Sequence, residues 1–229
     1  MIRHILFGTA LALAATGAAS VAAPKKAAAA RDWTKSVVLT PEGGYRVGNP
    51  AAAVKLIEYG SLTCNHCGNF AREGVPELLS RYVKNGRVSF EFRNFVRDPL
   101  DLTGALLSRC AGPANFFAVT DRIFATQEEW IGKVSPHFAD IQALPPGERL
   151  ARVSTLSGLG AMASKGGVTP AKATQCLNDT KAVEKLTAMR KVAVETYHLH
   201  GTPMFVLNGQ KSEARSWAEL KPLLGAPGG

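Results

Sequence analysis

Val54-Lys55-Leu56-Ile57-Glu58-Tyr59-Gly60-Ser61-Leu62-Thr63-Cys64-Asn65-His66-Cys67 is the stretch on which the fold turns. Its first six residues are mostly apolar and rich in β-formers, as expected of a central strand. Beyond it Phe70, Val75, Leu78, Leu79, Tyr82 and Val83 recur at helical spacing, which predicts a helix from about Cys64 to Val83. Pro76 removes one backbone hydrogen bond and should kink it. Cys64 and Cys67, three apart in the first turn, then share one helix face near the Cα separation of about 5.5 Å that a disulfide requires. A bond closing so small a loop adds only about 2 kcal/mol, so stapling explains the pair poorly. Reactivity explains it better, because free backbone N–H groups and the positive end of the helix dipole stabilise a thiolate.

Cys64, at the very start, is the predicted nucleophile, and Cys67, one turn deeper, the resolving thiol. His66 between them can donate to the Cys64 sulfur or place positive charge near it. Glu58 reads two ways, as a buried carboxylate that handles a proton for Cys67 or as an exposed strand residue. Zinc would need four ligands, and only one Cys-x-x-Cys pair is present, so no metal is expected.

Outward from this centre, turn signals at Gly43-Gly44 and Gly48-Asn49-Pro50 frame one short strand candidate, Tyr45 to Val47, and Val88 to Phe95 reads as another strand. From Pro99 to about Asp179 only helical segments appear: Leu102 to Cys110, Ala114 to Glu129, Arg149 to Met162 and Pro170 to Leu177. A long helix from Lys181 to His200 should stop at Gly201. Thr202 to Leu207 is a Pro-led strand ending in an Asn208-Gly209 hairpin turn, and a return strand and a helix opened by Ser216 and Glu219 close the chain.

This order implies an α/β fold, a central mixed sheet flanked by helices with an inserted α-helical domain. The expected divisions are residues 1–23, 24–50, 51–98, 99–179 and 180–229. Residues 1–23 have a basic start, an apolar middle from Ile5 to about Ala15 and small residues up to Ala23. They read as a secretory signal peptide cleaved near Ala22 or Ala23, followed by a tether and short strand to Pro50. Export would place the four cysteines in an oxidising compartment. With 229 residues and 46% hydrophobic content the chain can bury a full core, which excludes a disordered or fibrous protein. The net charge of +9 comes without a basic run interleaved with aromatics, so no nucleic-acid partner is expected, and the chain is expected to be monomeric.

A strand, a Cys-x-x-Cys at a helix start and a distant Thr202-Pro203 before a strand together resemble the thioredoxin fold. The helical block between Phe95 and the long helix resembles the DsbA family of exported thiol:disulfide oxidoreductases, over about Ala53 to Leu224. The resemblance implies that Cys64 attacks, that Cys67 is its partner, and that Pro203, preceded by Thr202, is a cis-proline packed against the cysteine pair. A cis bend there would expose the Thr202 backbone to an extended substrate.

It further implies a periplasmic enzyme with no cofactor that oxidises reduced, unfolded exported proteins and is itself reoxidised by a membrane partner resembling DsbB. Asn65 stands where the family's Cys-Pro-His-Cys has proline, which leaves oxidase against reductase or isomerase open. A metal-binding or chaperone-like module, using the cysteines or an apolar groove around Met204 and Phe205, is the reading from another class. Cys110 and Cys176 are either buried thiols or a disulfide contributing about 4 kcal/mol, and the resemblance, in which some members carry a second non-catalytic bond, favours the disulfide.

Overall fold

The computed structural model describes Met1 and residues 31–226, so the segments expected to be a signal peptide and a tether, up to Ala30, lie outside the described residues. The β-forming runs make strands β1 (Val37–Leu39), β2 (Tyr45–Gly48) and β3 (Val54–Gly60), after which α1 (Asn65–Glu73) and a short α2 (Val75–Glu77) lead to β4 (Val88–Asn94). Seven helices follow: α3 (Pro99–Cys110), α4 (Gly112–Ala125), α5 (Gln127–Val134), α6 (Phe138–Ala143), α7 (Pro146–Ser157), α8 (Leu159–Ser164) and α9 (Pro170–Leu177). The chain then forms α10 (Thr180–Tyr197), the hairpin β5 (Met204–Leu207) and β6 (Gln210–Lys211), and α11 (Trp217–Leu220).

One mixed sheet in the order β1-β2-β4-β3-β5-β6 carries the fold, with β3 parallel to β4 and the other neighbours antiparallel. Its register positions the site. Tyr59 near the end of β3 lies opposite Met204 at the start of β5, so the segment leaving β3 and the segment entering β5 emerge at one end of the sheet. Helix α1 packs on the sheet through Cys67, Gly68 and Phe70. The Phe70 ring meets Phe205 at 4.8 Å between centroids and Phe90 at 6.2 Å, edge to face in both cases. Burying such a ring contributes about 1.5–3 kcal/mol, which fixes α1 and therefore its first turn.

The expected helix from Cys64 to Val83 is broken into pieces. Pro76 has no N–H to return to the preceding turn, and after α2 the chain widens into a π-helix, Leu78–Val83, in which Lys84 N–H reaches back to Leu79 O at 2.9 Å. Strand β1 is an addition to the sequence reading: three residues on the sheet edge are too few to show alternation. Helix α3 begins at Pro99 rather than Leu102, with the Asp98 side chain capping Asp101 N–H. The expected segment Ala114 to Glu129 divides at Thr126, and Gly158, at φ 78°, ends α7 inside the expected Arg149 to Met162 helix. Helix α10 ends at His198, in the left-handed conformation at φ 49°, and not at Gly201; the N–H groups of His198 and Leu199 both return to Ala193 O. Cys110 on α3 and Cys176 on α9 form a disulfide with a Cα separation of 6.0 Å, so the free-thiol reading of these two falls away.

Candidate active site

Cys64 is the residue before α1, in extended conformation, and its carbonyl accepts the first helical bond from Gly68 N–H at 3.0 Å. It is 5% exposed, whereas Cys67 is fully buried; neither is in a disulfide here. The two sulfurs therefore share a helix turn but not an environment. A hydrogen bond from the Cys67 thiol acts most strongly to lower the Cys64 pKa from 9.0 to about 5, overcoming burial, and the Thr202 side chain and the backbone N–H groups of Cys67 and His66 assist. Cys67 moves the other way: burial first, then its bond to Cys64 and the nearby Glu58, push its thiol well above the ordinary value.

The segment before β5 closes over the pair. The Thr202–Pro203 bond is cis, and the neutral Cys64 thiol donates to the Thr202 carbonyl at 3.1 Å. The Thr202 hydroxyl oxygen is buried without a hydrogen-bond partner, so it is available to the sulfur once that ionises. Glu58 is 2% exposed, and its Oε1 also lacks a partner. Burial raises its carboxyl well above the ordinary value, and the charge on Cys64 adds to the rise.

The loop between β3 and α1 is held from the helical block. Asp101, fully buried in the first turn of α3, accepts from Ser61 Oγ at 2.6 Å, Leu62 N–H at 2.9 Å and Arg97 N–H at 3.0 Å. Burial lifts this carboxyl to about 7 against the lowering effect of those bonds. Arg97 donates through Nε to Ser61 Oγ and through Nη2 to Thr63 Oγ1, both at 2.9 Å. From α5, the Gln127 amide donates to Leu62 O at 2.8 Å and Cys64 O at 2.9 Å. The backbone that carries the nucleophile is thus fixed by residues up to 65 positions away in the chain.

The thioredoxin family's sequence profile matches residues 40–226. The chain belongs to the thioredoxin family. A candidate protein-disulfide oxidoreductase of Rickettsia bellii is 30% identical over 168 residues, covering 73% of this chain and 58% of the relative. Its counterpart in Rickettsia typhi is 29% identical over 168 residues, covering 73% and 55%. The chain therefore spans little more than half the length of these relatives. A solved structure named as the protein-disulfide isomerase of Novosphingobium aromaticivorans aligns at TM-score 0.73 and 29% identity, over 79% of this chain and 97% of that one. The alpha-DsbA1 structure of Wolbachia pipientis aligns at TM-score 0.64 and 22% identity, over 82% and 92%, a likeness of fold.

On this thioredoxin-family frame Cys64, Cys67, Thr202 and Pro203 lie together, whereas the His66 side chain is exposed and its backbone N–H is what supports the sulfur. The buried alternative for Glu58 is the one observed. Asp101, Arg97 and Gln127 were not singled out by the sequence reading. Asp98-Pro99-Leu100-Asp101 is a helix-start signature that could have flagged Asp101, but no local pattern announces a contact as distant as that of Gln127. Among the described residues no group of three His, Cys, Asp or Glu side chains could hold a metal ion, and no helix is long and apolar enough to cross a membrane.

Proposed function

We propose that the chain is a protein disulfide oxidoreductase acting through Cys64 and Cys67, and that its net direction is oxidation of substrate thiols. The observation that carries the reading is the placement of the two sulfurs, Cys64 at the start of α1 beside Thr202 and Cys67 fully buried one turn deeper, which lowers the ionisation of Cys64 to about 5 and raises that of Cys67. A thiolate stabilised in the reduced form makes the disulfide form the better oxidant. At pH 7 a drop from 9.0 to about 5 favours the reduced state by about 2.7 kcal/mol, or about 60 mV for a two-electron couple.

In the proposed cycle a substrate thiolate attacks Cys64 Sγ of the Cys64–Cys67 disulfide. The new bond joins substrate to Cys64, the old bond breaks, and Cys67 leaves as a thiolate. Neutral Glu58 supplies its proton, since burial keeps that carboxyl protonated well above the ordinary range. A second substrate thiolate then attacks the mixed disulfide and Cys64 leaves as a stable thiolate. The substrate has lost two electrons to the cysteine pair, and an external oxidant must take them away. By resemblance that oxidant is a membrane protein similar to DsbB.

The N-terminal signal peptide read from the sequence, together with the Cys110–Cys176 bond, supports export to the periplasm and newly exported chains as substrates. The name carried by the Novosphingobium structure supports a second reading, isomerisation, which requires the pair to be reduced at steady state. Two measurements test the proposal. Oxidised protein should convert a reduced two-cysteine peptide to its disulfide, and thiol trapping in cells should find Cys64 and Cys67 mostly oxidised. No peptide oxidation removes the oxidoreductase, and a reduced pair in cells replaces oxidase by isomerase.

A further inference from the structure

A cleft of about 320 Å³ opens beside the cysteine pair, lined by His66, His200, Gly201, Thr202, Pro203 and Arg215. Its walls come from the first turn of α1, the segment entering β5 and the loop before α11. All three of its ionisable lining residues are basic. The Arg215 guanidinium is held over the segment entering β5, its Nη1 donating to Gly201 O at 3.5 Å and Pro203 O at 3.4 Å. An arginine has five N–H donors, and among the described residues its Nε and Nη2 meet no acceptor. The adjacent carboxylate, Glu219, is engaged with the Arg215 backbone N–H at 2.7 Å. None of the ion pairs among the described residues includes Arg215, His66 or His200.

Thr202 O lies 3.1 Å from the Cys64 sulfur, so an extended substrate whose cysteine reaches Cys64 can pair along Gly201, Thr202 and Pro203. Arg215 touches both neighbours of Thr202, so a chain paired along this segment brings the residues beside its cysteine to the guanidinium. The open edge of this guanidinium, Nε and Nη2, offers a carboxylate a two-pronged partner, and its charge repels a lysine. We infer that this cleft selects substrates that carry an Asp or Glu within two residues of the reacting cysteine, and that Arg215 sets the preference. The inference rests on the oxidoreductase reading above. The chain's net charge of +9 draws acidic segments toward the cleft as well.

The test uses three reduced two-cysteine peptides that differ only in Glu, Gln or Lys beside one cysteine, with oxidised full-length protein and its Arg215→Gln and Arg215→Glu variants. Each peptide's own thiol reactivity cancels when its rate relative to the Gln peptide is compared between variants. The Glu-to-Gln rate ratio should be about threefold higher in the unaltered protein than in Arg215→Gln, the size expected of an exposed ion pair. Arg215→Glu should turn the preference toward Lys, and high salt should collapse it. Ratios indifferent to residue 215 overturn the inference and leave the oxidoreductase standing. Oxidation of no peptide by any version overturns both.

Discussion

Thr202→Val removes one hydroxyl and keeps the side chain's shape, and the structure gives that hydroxyl two opposite effects. Beside the neutral Cys64 thiol it is buried and unpaired, a cost to the fold. Beside the thiolate it is one of the groups that hold the negative charge. A hydrogen bond to a charged group contributes about 1.5–3 kcal/mol, and one pKa step is 1.36 kcal/mol, so its loss raises the ionisation point by about 1–2. From a start of about 5, Cys64 in the variant ionises at about 6–7. At pH 7 the thiolate then stabilises the reduced form less, and the pair becomes more reducing by about 30–50 mV.

Stability moves differently on the two sides of that titration. At pH 4, with the sulfur neutral in both proteins, the variant should unfold with equal free energy or up to about 1 kcal/mol more. At pH 8 the reduced variant should be the less stable of the two. Equilibration with glutathione, read by alkylation and mass measurement at Cys64 and Cys67, gives the potential, and urea unfolding gives the stability. An unchanged potential, or an equal loss of stability at both pH values, would show that the Thr202 hydroxyl does not hold the Cys64 charge.

Three further outcomes follow from the same geometry. Gln127→Met keeps volume but strips two buried carbonyls of a donor, so the protein should lose about 1–3 kcal/mol in urea unfolding; a neutral result would mean that α5 does not hold the nucleophile's loop. Glu58→Gln should slow oxidation of a reduced peptide by about tenfold or more, because the amide cannot supply the proton that Cys67 takes up; an unaltered rate assigns that proton to solvent. The reduced protein should lose stability relative to the oxidised one as pH falls. The folded value of Cys64 lies below 9.0, so its contribution is full above that pH, shrinks toward about 5 and is gone below, a change on the order of 5 kcal/mol. A difference that is flat across that window would contradict the lowered ionisation.

Local signals carried the sequence reading a long way. The run from Val54 to Tyr59 is a strand because its side chains are apolar or β-forming, and Cys64 stands at a helix start because the helical spacing begins right after it. The same logic found the Asn208-Gly209 turn and the Ser216 cap on α11. It failed where a local preference met a stronger competitor. Gly201 is a good helix stop, yet His198 turned left-handed first because two N–H groups there could return to Ala193 O. Edge strand β1 is held by pairing with β2, which three residues cannot announce. At the site, the chemistry-bearing residues were legible because Cys-x-x-Cys is a local pattern. Their supports, Asp101 and Gln127, act across 39 to 65 residues, where only the folded chain brings donor to acceptor.

Titration of the Cys64 thiolate by its ultraviolet absorbance in the reduced protein, with Cys64→Ser as the blank, reads the ionisation of the attacking sulfur itself. Cys64 should ionise at about 5, with the Cys67 thiol silent through neutral pH. Ionisation of Cys64 near the ordinary 9.0, or a Cys67 that ionises first, would contradict it.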